Sequence, residues 1–474
     1  MKNALLNIEL NNDNQGIAIY QQVADAILNK VKAGILKPGM MLPSTRKLAE
    51  QLQISRKTVV SAMEILQIKG IIVSKDRAGL FIAPEPTRKE DTSFHERKAE
   101  KLSTTPTPRI SVNDGFPDTQ LLPFREFSRS YRKLFNRAAQ WHKLGYSDSM
   151  GYLKLRECIA DILRQSRELP VETNELCIVR GAQMALFLVA NAVLEKGDHI
   201  AMESPGYPRA YETFEKAGLQ VHPIPVDEEG INVDQLEAIC RQGLLKAVYL
   251  TPRHQYPTTV KLSMKRRKQL CKLTEEYGLL IIEDDFGAEF QFTGKHLFPL
   301  SCLLPKGQFI YIGTFSKIFA PAVRAGYMTS SPEIIHKIVD YRSLIDIQGD
   351  MITERALCEL YEFGDMQRHI RKTSRIYRNR LEHITLEIKK HLGQQVHYRK
   401  PHGGLAIWLA LHQPTKKEIL QKKFSDKGIH IPIFSLSDGT IGLRIGYASM
   451  SNEQISELIS CIAQVIAQCS LCSN

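Results

Sequence analysis

The sequence predicts a multidomain chain: an N-terminal winged helix-turn-helix, an α/β body built on a mostly parallel sheet, and a smaller α+β lobe at the C-terminal end. Three observations predict it. Residues 17–83 carry short helical apolar patterns that close in two strand-like runs around a basic tip. Residues 84–108, from Pro84-Glu85-Pro86 to Pro106-Thr107-Pro108, are rich in proline and charge and poor in apolar side chains, as an extended linker is. From about residue 110, apolar strands such as Lys246–Leu250 and Phe309–Ile312 alternate with amphipathic helices. At 474 residues the chain is too long for one ordinary domain. The expected division is a head over 1–83, a linker over 84–108 and a body over 109–474. The body's large lobe would run to about 365 and its small lobe over 366–474.

In the head, Val23, Ala26, Ile27 and Val31 line one face of a first helix, which Gly34 and the Lys37-Pro38-Gly39 turn end. Ser44 is placed to cap a second helix, Thr45 to Leu52, and Ser55 a third. Val59, Ala62, Met63 and Leu66 make the third helix's buried stripe, which leaves Arg56, Lys57 and Thr58 at its N-terminal end. Recognition helices enter the major groove with that end forward, so two cations and a hydroxyl face phosphates and base edges. Gly70 ends the helix, and Ile71–Val73 and Leu80–Ile82 flank the tip Lys75-Asp76-Arg77-Ala78-Gly79 as a β-hairpin wing. The formal net charge of +12 favours an anionic partner, nucleic acid before membrane.

Other classes are disfavoured. No stretch approaches the roughly 20 apolar residues that span a bilayer, and Asn191 interrupts the longest candidate, Ala185 to Leu194. Asn7 and Glu9 stand where a signal peptide needs an apolar core. The nine cysteines are scattered, and the single C-x-x-C, Cys469 to Cys472, has no second ligand pair nearby. A reduced cytoplasmic protein without a metal site is expected.

The body carries the ingredients of a pyridoxal 5'-phosphate pocket. Lys317, in Gly313-Thr314-Phe315-Ser316-Lys317, would be the amine that forms the Schiff base, its pKa lowered by desolvation. Asp284 ends the apolar run Leu279–Ile282-Glu283 and would keep the pyridine nitrogen protonated, at the strand end where open α/β sheets bind ligands. The phosphate would rest on Gly181-Ala182-Gln183 before a helix, with Thr314, Ser316 and Arg324 completing the cup. Tyr207 would cover the ring. Each piece alone is commonplace; Asp284, Lys317 and Arg324 in this order, 33 and then 7 positions apart, are not.

The strings Leu42-Pro43-Ser44-Thr45-Arg46-Lys47-Leu48-Ala49 and Ser55-Arg56-Lys57-Thr58-Val59 resemble the GntR-type winged helix. That resemblance implies binding to a double-stranded DNA operator through Arg46, Ser55, Arg56, Lys57, Thr58 and the wing near Gly79. Residues 110–465 resemble the fold-type-I aminotransferases through Ser204–Pro208, Thr251–Thr258, Ile281–Phe286, Tyr311–Tyr327 and Leu443–Ala448. The whole chain resembles the MocR/GabR regulators. The resemblance implies a head-to-tail homodimer, and an amine or amino-acid effector that displaces Lys317 to form an external aldimine. It also implies that Arg444 and Arg209 take the effector's carboxylate, and that Tyr146 reaches towards the partner.

The wing departs from the family pattern, reading Arg77-Ala78-Gly79-Leu80-Phe81 where Gly-Ser-Gly-Thr-Phe is more usual, and two positions of the body depart as well. Phe286 stands where a tyrosine commonly hydrogen-bonds the cofactor's ring hydroxyl, which implies an unusual proton affinity and at most weak transaminase activity. Thr259 stands where a glycine often follows Pro-Thr. The competing readings are a working aminotransferase, and a regulator that senses pyridoxal phosphate itself.

Overall fold

The computed structural model describes residues 18–75, 79–83, 109–135, 145–294, 297–412, 415–436 and 439–470. The linker expected over 84–108, the wing residues Asp76, Arg77 and Ala78, and Cys472 lie outside these. The chain divides into two compact units, Met1–Thr104 and Thr105–Asn474.

The first unit packs three helices, α1 (Ile19–Lys32), α2 (Thr45–Leu52) and α3 (Arg56–Ile68), against a hairpin of β1 (Ile72–Lys75) and β2 (Gly79–Ile82). Both caps form as their residue types dictate. Ser44 Oγ accepts from Lys47 N at 3.3 Å and Ser55 Oγ from Thr58 N at 3.1 Å, satisfying N–H groups the first turn leaves unpaired. Val59, Ala62, Met63 and Leu66 are buried against Val23, Ala24 and Ile27. The inner face of α1 thus centres on Ala24, with the expected Ala26 only partly covered. β1 and β2 pair antiparallel from Ile72↔Ile82 to Lys75↔Gly79.

The second unit opens with β3 (Ile110–Ser111) and continues with an eight-stranded sheet. In chain order the strands are β4 (Leu176–Val179), β5 (His199–Ser204), β6 (Gln220–Asp227), β7 (Gly230–Ile231), β8 (Leu245–Leu250), β9 (Leu280–Asp284), β10 (Phe309–Thr314) and β11 (Gly326–Thr329). They lie side by side as β4-β11-β10-β9-β8-β5-β6-β7. The run from β10 through β9, β8 and β5 to β6 is parallel. β11 runs antiparallel to both its neighbours. Alternate side chains enter two different cores: Ile281, Phe309 and Tyr311 one, Ile282, Ile310 and Ile312 the other. Burial on both faces is why these strands read as continuous apolar runs.

A 27-residue helix, Asp365–His391, leads into a four-stranded antiparallel sheet. Its strands are β12 (Val396–His397), β13 (Ala406–Leu411), β15 (Ile433–Ser435) and β16 (Ile441–Gly446), with β14 (Ile429–His430) between β13 and β15 in sequence. β3, which lies far upstream of the stretch expected to form the small lobe, pairs in parallel with β14 of that stretch. A two-residue strand with a distant partner has no local periodicity to reveal it.

Candidate functional site

A cavity of about 430 Å³ opens where β8, β9 and β10 end at their C-terminal edge. Strand alternation decides which of three consecutive acids reaches it. Asp284 shares its face of β9 with Ile282 and meets Tyr249, whose hydroxyl donates to Asp284 Oδ2 at 3.0 Å. Glu283 and Asp285 point the opposite way. Glu283 accepts from Ser301 N at 2.8 Å, and Asp285 takes a two-pronged ion pair from Arg253 at 2.7 and 3.1 Å with Tyr311 as a third donor.

The two neighbouring aspartates consequently differ in charge preference. Burial pushes Asp284 up to about 7, partly opposed by the Tyr249 hydrogen bond. Burial acts the same way on Asp285, but Arg253 outweighs it and holds that carboxyl well below the usual range. Asp284 Oδ1 is buried with no hydrogen-bond partner. An unpartnered carboxylate oxygen in a cavity wall is the complement of a buried N–H, and a protonated pyridine nitrogen supplies one.

Lys317 follows β10 on a tight turn in which Ser316 N donates to Thr314 Oγ1 at 3.1 Å, anchored by buried Phe315, Ile318 and Phe319. Its Nζ donates to Gly115 O at 2.9 Å and lies 5.0 Å from the Phe116 ring centre and 5.8 Å from that of Phe286. Burial lowers the ammonium to about 8; Arg444 adds to the fall, while Asp114 and Asp284 oppose it. A substantial fraction of the amine is therefore neutral near pH 8, the form that attacks an aldehyde.

The structure brings Ala182, Gln183, Tyr207, Thr314, Ser316 and Arg324 to the same cavity. Gly181 stands beside it at φ +77°, a conformation that favours glycine; an added Cβ would lie 3.1 Å from Arg324 Nη2 and the guanidinium would have to shift. Arg324 donates to Arg180 O at 2.9 Å, at the N-terminus of the helix Ala182–Leu188, which a π-helical turn extends through Val193. Tyr207 packs edge-on against Tyr256 at 5.4 Å.

Arg444 and Arg209 are held differently. Arg444 is buried on β16, its Nε donating to Asp114 O at 2.8 Å and its Nη1 to Pro257 O at 2.6 Å, with Tyr256 against its face at 4.8 Å. Arg209 lies at the mouth, 67% exposed and paired with Glu212 at 2.7 Å. Tyr146 is 85% exposed and outside the cavity lining.

Asp114, Phe116, Tyr249, Thr251 and Tyr256 line the cavity without having been singled out from sequence. Tyr256 OH donates to Asp114 Oδ2 at 3.1 Å. Glu203, pushed up to about 7 by burial, holds the Thr251 turn through Thr251 N at 2.9 Å and Oγ1 at 2.7 Å. Tyr249 shares a sheet face with Asp284 only through the β8–β9 register, so no local signal marks it; Asp114 and Phe116 come from a distant loop.

In the first unit, Arg46, Arg56 and Lys57 are exposed, and none forms an ion pair among the described residues. The Ser55 and Thr58 hydroxyls are 2.8 Å apart and share a hydrogen bond at the start of α3. Gly79 sits at φ +108° where β2 begins.

Comparison with known proteins agrees with both halves. Residues 19–82 match the bacterial regulatory proteins of the gntR family, and residues 122–462 match aminotransferase class I and II. The uncharacterized HTH-type transcriptional regulator YdeL of Bacillus subtilis is 31% identical, over 93% of this chain and 95% of that protein. The probable rhizopine catabolism regulatory protein MocR of Rhizobium meliloti is 26% identical over 94% and 93%. In structure the body resembles LysN, an alpha-aminoadipate aminotransferase from Thermus thermophilus solved with N-(5'-phosphopyridoxyl)-L-leucine. The TM-score is 0.70 at 26% identity, covering 76% of this chain and 93% of that one. The aminotransferase class I and II fold implies pyridoxal 5'-phosphate, and the orphaned Asp284 oxygen and lowered Lys317 pKa fit that group. This chain belongs to the MocR-type transcriptional regulators, in which a GntR-type DNA-binding head is joined to an aminotransferase-like domain.

Proposed function

We propose that the chain regulates transcription by sensing an amine or amino acid at the cavity around Lys317. One observation carries this reading: a lysine amine with a pKa near 8 and a buried arginine, Arg444, open into the same cavity. Bound there, pyridoxal phosphate supplies an aldehyde that can exchange one amine for another. Asp284 holds a proton at the ring nitrogen. Ala182, Gln183, Thr314, Ser316 and Arg324 hold the phosphate, with the Arg180–Gly181 turn bringing Arg324 close. Tyr207 covers the ring.

With an effector bound, Arg444 would take its carboxylate and the Lys317 amine would keep its Gly115 contact. Two backbone carbonyls hold that guanidinium in plane, ready for two parallel N–H···O bonds. Arg209 joins it only by leaving Glu212, so its engagement reports closure of the mouth. Phe286 offers no hydroxyl to a ring oxygen, which favours sensing over efficient turnover. The effector shifts DNA binding by its difference in affinity between two arrangements of the protein, since equal affinity shifts nothing. The working form is a cytoplasmic head-to-tail homodimer, with exposed Tyr146 bordering the partner's cavity.

A panel of amines and amino acids added to cofactor-loaded protein tests the reading. The cofactor's absorbance and DNA affinity are followed in the same samples. The expected result is a spectral change without turnover, accompanied by altered DNA affinity. Steady keto-acid production with indifferent DNA binding overturns it in favour of an enzyme.

A further inference from the structure

The helix Asp365–His391 carries eight cationic residues and three carboxylates, far more positive charge than its packing requires. Its inner face buries Met366, His369, Thr373, Tyr377, Leu381, Ile384 and Ile388. On the opposite face Arg368, Arg371, Lys372, Arg375 and Arg378 are all exposed. At 3.6 residues per turn these five fall within about 120° of the circumference, along about 15 Å of axis.

The pairing around them is uneven. Asp365 takes both Arg368 and, at 2.9 Å, Arg129 of the neighbouring helix Phe124–Phe135. The helix's other ion pairs, Arg380 with Asp118 and His391 with Glu387, lie beyond the stripe. No ion pair engages Arg371, Lys372, Arg375 or Arg378 among the described residues. Glu382, one turn past Arg378, is the carboxylate that follows on the same face. Beside the stripe, a hollow of about 430 Å³ between the two helices is bordered by Arg125, Arg368 and Lys372, with Glu126 and Asp365 also in its wall. Four unneutralised cations side by side repel one another, a cost that an anionic partner reverses.

We propose that this face of the small-lobe helix is a second DNA contact, engaging the backbone phosphates of duplex DNA. Charge complementarity favours duplex DNA as the occupant. A duplex presents about one charge per 1.7 Å of axis, so 15 Å carries more phosphates than the four free cations need. The winged helix on the same chain also brings DNA to the protein, so the second contact forms at a raised effective concentration. Contacts of this kind position the protein and add affinity without reading sequence. They also give the effector domain a direct hold on the DNA.

The test uses the full-length, cofactor-loaded protein and a 40-base-pair duplex of mixed sequence, with affinity measured across a salt series. The variant is Arg371→Gln, Lys372→Gln, Arg375→Gln and Arg378→Gln together. Loss of four phosphate contacts should reduce the slope of log affinity against log salt by up to about 3.6 and weaken binding by at least about tenfold near 0.1 M salt. A control of equal charge change, Lys216→Gln, Lys265→Gln, Lys268→Gln and Lys272→Gln, removes exposed lysines elsewhere and should leave the slope within about one unit. A charge-keeping variant, Arg371→Lys, Arg375→Lys and Arg378→Lys, should bind as the unsubstituted protein does, separating loss of charge from loss of fold. An unchanged slope in the glutamine variant, an equal loss in the control, or an equal loss in the lysine variant overturns the proposal.

Discussion

The winged-helix unit and the cavity of the second unit hold their functional side chains in opposite ways. Arg46, Arg56 and Lys57 stand in solvent on short helices whose ends are fixed by serine caps. Asp284 and Arg444 are almost wholly buried, and Lys317 shows only part of its side chain to the cavity. Exposed charges act through screened, additive attraction. Buried charges have shifted affinities, and each depends on the others around it. Substitutions should therefore subtract by increments in the first unit and act nearly all-or-none in the second.

The largest expected effect lies in that contrast. Lys317→Ala should abolish the borohydride-fixed cofactor label on the peptide containing position 317, while affinity for mixed-sequence duplex DNA changes less than about twofold. Arg56→Ala with Lys57→Ala should do the reverse. The label persists, DNA affinity falls by about tenfold or more, and the salt slope drops by about two. Loss of both properties in either variant would break the comparison, because the Lys317 cavity and the winged helix would then not act separately.

A smaller effect separates burial cost from ligand value inside the cavity. Asp284 has a raised folded-state pKa, about 7 against an ordinary 3.8, so the folded protein binds more protons than the unfolded chain between those values. Its presence therefore costs stability progressively as pH rises from 4 to 7, and fully above that. In cofactor-free protein, Asp284→Asn should raise unfolding free energy by about 2–4 kcal/mol at pH 8 and by less than about 1 kcal/mol at pH 4. The same variant should lose cofactor affinity, since a neutral amide cannot hold the ring proton. Denaturant curves at the two pH values read the first part and cofactor titration the second. Equal gains at both pH values would show that the carboxylate is not the source of the cost.

The same division explains what could be read from the amino acids alone. The head was legible almost whole, because caps, glycine stops and a helical stripe are local signals: Ser44, Ser55 and Gly70 sit within a few residues of what they control. Strands β5, β8, β9 and β10 were legible as apolar runs because both their faces are buried. Lys317, Asp284 and Arg324 came from order and spacing. The rest depends on register between distant segments. Nothing near Asp114-Gly115-Phe116 announces that Gly115 O will receive the Lys317 amine from 202 positions away. Tyr249 reads as core in an apolar strand until its hydroxyl is found on Asp284. β11 carries no mark of its reversed direction, and β3 none of its pairing with the small lobe.

One departure from the family pattern proved legible in backbone terms. Thr259, standing where a glycine often follows Pro-Thr, adopts φ +61°, and its N–H donates to Gln255 O at 2.7 Å. A β-branched residue in the left-handed region costs roughly 1–2 kcal/mol, because its Cβ crowds the following carbonyl. Glycine removes that crowding and returns about 0.5–1 kcal/mol through the entropy of the unfolded chain. Thr259→Gly should therefore stabilise the second unit by about 0.5–1 kcal/mol, read as a higher denaturant midpoint at unchanged slope. Thr259→Ala keeps the Cβ and should give no gain. If glycine and alanine behave alike, side-chain contacts rather than backbone strain set the stability of this loop. Tyr256 and Pro257, which hold Asp114 and Arg444, would then owe their placement to packing alone.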